Sequence, residues 1–388
     1  MKFLFLVQGE GRGHLTQAIS MSQLLAEAGH EVSAVLVGMA ADREIPSFFA
    51  EQISAPIQTF RSPNLVFNKS GELSLARTVG YPLCRIGRYL RSLRQIDQAV
   101  RQYSPDAIVN FYEALGGFYN LLYRPSVPIA CVGHQYLFSH SDFQFPARRW
   151  LDRFLLQINT KITAMGAKKL LALSFREMPN EAQKRIFVMP PLLRKEIKDL
   201  KTSEQGFLLV YVNYPHLVAQ IKAWHVQNPS VALHCFWDNK ETQANETVID
   251  QTLTFHRLNG EKFLRMMANC RALVTTAGFE SVCEAMYLGK PALMVPAHFE
   301  QSCNALDAVA AGAGLGATSF DLSAFMEYLP QHQPVGEEFR QWHNQHSIQL
   351  VRQLESLNKP KPNSVWRNIS WPSRVRPRRA GWRLNQTA

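Results

Sequence analysis

The chain has 388 residues, of which 46% are apolar and 19% charged, with 21 glycines and 21 prolines. A disordered polymer, a collagen-like repeat and a disulfide-stapled miniature scaffold are excluded, and the length allows two packed domains. The formal net charge is +11, but eight of the positive charges follow Asn358 with no acid among them, which leaves the body near +3.

Residues 3–7 form a short apolar run that reads as a buried strand, because a signal peptide needs a longer apolar region and a small-residue cleavage site. No stretch approaches the ~18–20 apolar residues that span a bilayer, so a soluble or peripheral cytoplasmic protein is expected. The run enters Gln8-Gly9-Glu10-Gly11-Arg12-Gly13-His14. Ala18, Met21, Leu25 and Ala28 then recur at helical spacing until Gly29 stops the helix, and residues 32–37 make the next strand. Strand, glycine loop, helix and strand open a parallel α/β sheet. The loop is not a dinucleotide fingerprint: His14 stands where the third glycine belongs, and no acidic residue closes the second strand. Gly9, Gly11, Arg12 and Gly13 instead form a loop that lets backbone approach a ligand closely. His14 falls at a helix N-terminus, where the dipole disfavours the imidazolium and suits a general base.

Arg85, Arg88, Arg91 and Arg94 recur every three residues, with Leu90, Leu93, Ile96 and Val100 between them. They predict an amphipathic helix with a cationic face, either solvated or turned to an acidic acceptor or lipid headgroups. Short apolar strands follow at 107–110, 128–132 and 170–173. Glu113, just past the first of these, can orient His14, act as the base itself, or sit as a favourable carboxylate at a helix N-terminus. The pattern breaks at Val188-Met189-Pro190-Pro191, and a charged segment leads to a new strand at 207–212, which places the domain boundary at the Pro-Pro pair. The second half repeats the grammar with strands at 231–236, 252–255, 272–276 and 292–295, helices at 261–269 and 281–288, and a helix ending near Gly312. An α/β chain of two Rossmann-like domains, 1–190 and 191–357, facing a central cleft is expected, with a disordered basic tail at 358–388.

The second half also carries the richest motif: Thr275-Thr276-Ala277-Gly278-Phe279-Glu280-Ser281-Val282-Cys283-Glu284-Ala285, then Gly289-Lys290-Pro291, then Pro296-Ala297-His298-Phe299-Glu300-Gln301 and Asn304-Ala305. A strand that ends in a glycine turn and opens a helix presents free N–H groups, with the Ser281 hydroxyl, to a phosphate. Glu284 lies one turn further on, where a carboxylate can accept both hydrogens of a ribose diol. His298, Glu300 and Gln301 can orient sugar hydroxyls, which completes a nucleotide-sugar site. The six cysteines have no metal-ligand spacing and read as reduced core thiols.

The stretch 275–305 resembles the donor signature of GT-B glycosyltransferases, particularly family 28 and its relatives, among them the lipid-linked muropeptide N-acetylglucosaminyltransferase and the UDP-glycosyltransferases. The loop 9–14 is similar to their glycine-rich acceptor loop, and Pro190-Pro191 falls where their linker does. The resemblance implies that Glu284 binds the ribose, that Gly278, Phe279, Glu280 and Ser281 face the diphosphate, and that Glu300 and Gln301 contact the donor sugar with His298 and Asn304 beside them. His14 would stand near the acceptor, and a helix around 337–354 would pack back across the domain boundary. It implies inversion at the anomeric carbon and no cofactor or metal, in keeping with the absence of a D-x-D motif. The loop Asn213-Tyr214-Pro215-His216 departs from the pattern by lacking Gly-Ser, and Glu300 stands where many relatives have Asp or Gln.

The tail interleaves Lys359, Lys361, Arg367, Arg374, Arg376, Arg378, Arg379 and Arg383 with Trp366, Trp371 and Trp382. It reads either as a solvated segment or as contact with an anionic membrane surface, and no nucleic-acid partner is expected. The leading expectation is an inverting transferase using a nucleotide-diphospho sugar, UDP-linked by resemblance, on an unidentified acceptor for which the basic segments suggest a lipid link. A sugar-nucleotide 2-epimerase of the same fold and a non-catalytic nucleotide-sugar binder are the alternatives.

Overall fold

A computed structural model describes residues 1–40, 43–63, 86–212, 214–237 and 244–358. Cys84, Arg85, Asn213 and the basic tail, with its expected disorder and membrane contact, lie outside the described residues.

The first sheet holds β1 (Lys2–Gln8), β2 (Glu31–Met39), β3 (Ile57–Arg61), β4 (Ala107–Phe111), β5 (Ile129–Gly133), β6 (Lys169–Leu173) and β7 (Ile186–Met189). Its order is β3-β2-β1-β4-β5-β6-β7, and every neighbouring pair is parallel. Such strands are buried on both faces and therefore read as unbroken apolar runs. In β1, Phe3, Phe5 and Val7 face one core while Leu4 and Leu6 face the other. Helices α1 (Arg12–Glu27) and α2 (Ser47–Gln52) cover the first face through Leu15, Ala18, Met21, Leu25 and Phe49. Helices α3 (Ile86–Tyr103), α4 (Ala114–Tyr123) and α5 (Trp150–Thr163) cover the second through Leu93, Ile96, Leu115, Tyr119 and Leu156.

The second sheet holds β8 (Leu208–Val212), β9 (Leu233–Trp237), β10 (Glu246–Val248), β11 (Leu253–His256), β12 (Ala272–Thr275), β13 (Ala292–Met294) and β14 (Gly314–Gly316). The order is β10-β11-β9-β8-β12-β13-β14, and only β10 runs antiparallel to its neighbour. Its helices are α6 (Pro215–Gln227), α7 (Gly260–Asn269), α8 (Phe279–Tyr287), α9 (Phe299–Ala310), α10 (Ser323–Tyr328) and α11 (Gly336–Glu355).

The last strand of the first sheet ends at Met189 and the first strand of the second begins at Leu208. Helix α11 crosses back: it packs on α8 and on β7, Arg340 Nη1 donates to Tyr287 O at 2.9 Å, and Glu355 Oε1 lies 3.0 Å from His30 Nε2. Cys131, Cys235, Cys270, Cys283 and Cys303 are free and buried. Among the described residues, no helix is long and apolar enough to cross a membrane.

Candidate functional site

The loops that meet between the sheets leave their strands at the carboxyl ends, where open α/β sheets bind ligands. The glycine loop follows β1, Tyr112 and Glu113 follow β4, and His134 and Gln135 follow β5. From the second domain come the turn 276–278 after β12 and the loop 295–298 after β13.

The glycine loop approaches both its own sheet and the other domain. A Cβ on Gly9 would stand 2.7 Å from Val37 Cγ1, and one on Gly13 would stand 2.6 Å from Glu280 Oε2. Gly11 faces open space, and the Arg12 guanidinium lies 4.6 Å from the centre of the Phe48 ring. His14 is buried, stacked on Tyr112 at 5.6 Å, with Nδ1 3.3 Å from Gln17 Oε1. Burial lowers its pKa, against upward pulls from the Glu300 charge and the Gln17 contact, so the ring is disposed to be a neutral proton acceptor.

Gln17 also reaches the second domain, where its Nε2 donates to Glu280 Oε1 at 2.6 Å. Burial pushes the Glu280 carboxyl up to about 7, and the carboxylates of Glu284 and Glu300 add to the shift. Glu280 stands in the first turn of α8, whose N-cap Gly278 offers no side chain to the free N–H groups. Helix α4 begins differently: the Glu113 carboxylate accepts from Leu115 N at 2.9 Å. At α8 the N-cap residue has no such side chain, and the Glu280 carboxyl accepts from its own backbone N–H in the first turn.

Tyr112 (φ 58) and Ala277 (φ 63) follow β4 and β12, which are the partners of β1 and β8 at the point where each sheet reverses its order. Each left-handed residue stores about 1–3 kcal/mol of strain. Tyr112 is held by its hydroxyl, 2.9 Å from Thr160 Oγ1, and Ala277 by Asn304 Nδ2, which donates to its carbonyl at 3.1 Å.

Opposite the first domain, Glu300 Oε1 accepts from Gln135 Nε2 at 2.7 Å, and the Phe279 ring stacks on His134 at 4.3 Å. His298 caps the start of α9 without a side-chain hydrogen bond there, and burial lowers its pKa. Ser281 Oγ donates to Gly278 O at 3.1 Å, inside the turn that opens α8. Among the described residues, no group of three His, Cys, Asp or Glu side chains is placed to hold a metal ion.

A family model described as glycosyl transferase family 1 matches residues 1–331. The chain belongs to glycosyl transferase family 1. A curated relative in Methanosarcina acetivorans, an uncharacterized glycosyltransferase, is 22% identical over 333 residues, covering 79% of this chain and 82% of its own. Among solved structures, the glycotransferase of kitacinnamycin is similar with a TM-score of 0.62 and 12% identity, over 92% of this chain and 98% of that one. The spinosyn rhamnosyltransferase SpnG, complexed with thymidine diphosphate, gives 0.59 and 15%, over 92% and 100%. Phytolacca americana UGT2, complexed with UDP-2-fluoro-glucose and pterostilbene, gives 0.60 and 12%, over 92% and 99%. The fold is the two-domain GT-B arrangement.

In the transferase, three further expected side chains are engaged within the protein. Glu284 is 3% exposed, and each of its oxygens accepts one bond from Arg194, Nε to Oε1 at 2.5 Å and Nη2 to Oε2 at 2.8 Å. A carboxylate so deep in the protein needs a counter-ion, and the interdomain segment supplies it. Gln301 folds inward, accepting from Ala297 N at 2.9 Å and donating to Thr276 Oγ1 at 3.4 Å. Glu113 makes no contact with His14 among the described residues; Ser62 Oγ donates to its Oε1 at 2.5 Å, and burial pushes the carboxyl up to about 7. Gln17, Tyr112, His134, Gln135 and Arg194 were not legible as site residues. The helical spacing of Gln17 from His14 was the one available signal, since i and i+3 share a helix face.

Proposed function

We propose that the transferase moves a sugar from a nucleotide-diphospho donor, a UDP-sugar, to an acceptor hydroxyl with inversion and without a metal ion. The observation that carries the reading is the opposition of His14 to the uncapped N-terminus of α8, with Gln17 joining the two halves. His14 takes the proton of the acceptor hydroxyl, whose oxygen bonds to the anomeric carbon as the bond to the diphosphate breaks. The diphosphate leaves with its new charge received by the N–H groups at Gly278 and Phe279, at a positive helix end, with the Ser281 hydroxyl turning from Gly278 O to donate to it. Glu284 receives the ribose diol through the lone pairs that Arg194 leaves free, since an ionised carboxylate has about four acceptor sites. Glu300 and His298 face the donor sugar. The nucleoside diphosphates present in two structures of the same fold support this donor class, and the family-28-type signature at 275–305 supports the UDP link. A lipid-linked acceptor at an anionic surface belongs to the same proposal, on the composition of the basic tail.

The test is a melting panel with UDP, dTDP, GDP and their sugars, followed by assay of nucleoside diphosphate release with candidate acceptors. A nucleotide at a hundred times its Kd stabilises the fold by about 2.7 kcal/mol. Stabilisation by one nucleotide family, together with acceptor-dependent release that His14→Ala reduces by about a hundredfold or more, is expected. Conversion of the donor without acceptor would replace the reading by an epimerase, and binding without turnover by a nucleotide-sugar binder.

A further inference from the structure

Gln17 is a polar side chain on the buried side of α1, 2% exposed, and both ends of its amide are in use. Its Nε2 donates to Glu280 Oε1 at 2.6 Å, and its Oε1 lies 3.3 Å from His14 Nδ1, about one turn back on the same helix face. The two ends of the amide are not interchangeable. An ionised carboxylate only accepts, and a carboxylic acid protonated on Oε2 still accepts at Oε1, so the end of Gln17 turned to Glu280 is the nitrogen. The end left for His14 is the oxygen, which takes a hydrogen bond from Nδ1–H and offers none to it.

A neutral imidazole carries one proton, and the bond made by one ring nitrogen decides the state of the other. With Nδ1–H committed to Gln17, Nε2 keeps its lone pair, and it has no hydrogen bond among the described residues. Tyr112 holds the plane of the ring, stacked at 5.6 Å and 26°. Gly13 lets the carboxyl come down onto the glycine loop, since a Cβ there would stand 2.6 Å from Glu280 Oε2. Gln135 crosses the cleft in the same manner, its Nε2 on Glu300 Oε1 at 2.7 Å, but its own Oε1 has no partner among the described residues. Of these two amides, Gln17 is the one whose far end reaches a ring that can hold a proton.

We propose that Glu280 sets the tautomer of His14 through Gln17: the carboxyl of the second domain fixes the amide, the amide fixes the proton on Nδ1, and Nε2 is thereby the atom that takes the proton of the acceptor. The inference rests on the reading of His14 as the base. Gln17 and Glu280 are positioning residues, since each acts on the acceptor through another side chain. Because Glu280 comes from the second domain, the base is configured when the two halves of the cleft are together and loses its orientation when they part.

The test is a long-range proton–nitrogen NMR correlation of the full-length protein labelled on its histidine ring nitrogens, with His14→Asn to identify the signal. It is recorded at about pH 8, where a ring of ordinary or lowered pKa is neutral. The Nδ1–H form is expected in the wild type. In Gln17→Leu the Nε2–H form, which a free histidine side chain prefers, should become the major one, and Glu280→Ala should show both forms because the amide is then free to turn over. Gln17→Glu with Glu280→Gln exchanges the two groups, keeps an acceptor on Nδ1 and should restore the Nδ1–H form. Acceptor-dependent release of nucleoside diphosphate should fall roughly tenfold or more in Gln17→Leu and recover in the exchanged pair. An Nε2–H form in the wild type, or an Nδ1–H form unchanged in both single variants, overturns the proposal. The spectra need neither donor nor acceptor, so a wild type without turnover refutes the transferase reading and leaves the tautomer result standing.

Discussion

The amide of Gln17 lies 2.6 Å from the Glu280 carboxylate although 263 residues separate them in sequence, and this bond ties the first domain to the first turn of α8. Glu280 occupies the end of a helix where negative charge is welcome, yet burial and the nearby Glu284 and Glu300 hold its pKa near 7. At neutral pH it therefore stands between its two protonation states.

A diphosphate arriving at α8 brings further negative charge to that carboxyl, so donor binding should draw in a proton. Affinity for the nucleoside diphosphate is expected to weaken as pH rises through about 7, the direction set by the raised Glu280 pKa. Calorimetry in buffers of different ionisation enthalpy reads the proton directly. Glu280→Gln should remove both the proton uptake and the pH dependence above neutrality; retention of either would place the titrating group elsewhere.

Arg194 neutralises the one deeply buried carboxylate of α8 and also donates from Nη1 to Gly260 O at 2.9 Å. Arg194→Met leaves Glu284 uncompensated and should cost about 3–5 kcal/mol, whereas Arg194→Met with Glu284→Gln should recover most of the loss. Urea unfolding of the single and double variants measures the difference, and equal losses in both would show that the ion pair is not the source.

Glu113 is completely buried, accepts from Ser62 and Leu115 on Oε1, and has no partner for Oε2 among the described residues. Its folded-state pKa of about 7 lies above the ordinary 4.5. The stability it contributes is complete below the unfolded value and is lost as pH rises through about 7, on the order of 3 kcal/mol in total. Glu113→Gln should accordingly flatten the stability profile between these limits and make the protein more stable than wild type at alkaline pH. Parallel denaturation curves across that range provide the check.

Two glycines separate packing from function. A Cβ on Gly117 would stand 1.8 Å from the Ile162 carbonyl oxygen, a backbone atom in a neighbouring helix, so Gly117→Ala should cost about 1–3 kcal/mol or more. Gly13 faces the Glu280 carboxyl, which Gln17 holds, so Gly13→Ala must displace that carboxyl and should cost less stability than Gly117→Ala while lowering kcat/KM by changing the approach across the cleft. A Gly13→Ala protein with wild-type kinetics would remove that contact from the mechanism.

Sequence periodicity revealed strands β1, β2, β4, β5 and β6 because each is buried on both faces and spells a continuous apolar run. Strand β3, Ile-Gln-Thr-Phe-Arg, is the edge strand of the first sheet among the described residues and has one residue buried, and β14 is Gly-Leu-Gly, so neither carries such a signal. The motif 275–305 marked the glycine turn after β12 and the start of α8. What the motif did not show was occupancy: Glu284 and Gln301 have the right residue types, but their partners, Arg194 and the Ala297–Thr276 pair, are decided by tertiary placement. Gln17 and Gln135 were hidden for the same reason, since an amide inside a helix or loop announces nothing until the other domain stands opposite it.

Helix α11 gives the chain an order of assembly. Its Leu350, Val351 and Leu354 are buried in the same core as Phe3 and Phe5, and Lys169 of β6 reaches Gln353 and Ser356 at its end. The first sheet thus lacks part of its own wall until residues 336–355 have been made. It must wait with the β7 edge bare, and the two halves become complete together rather than one after the other.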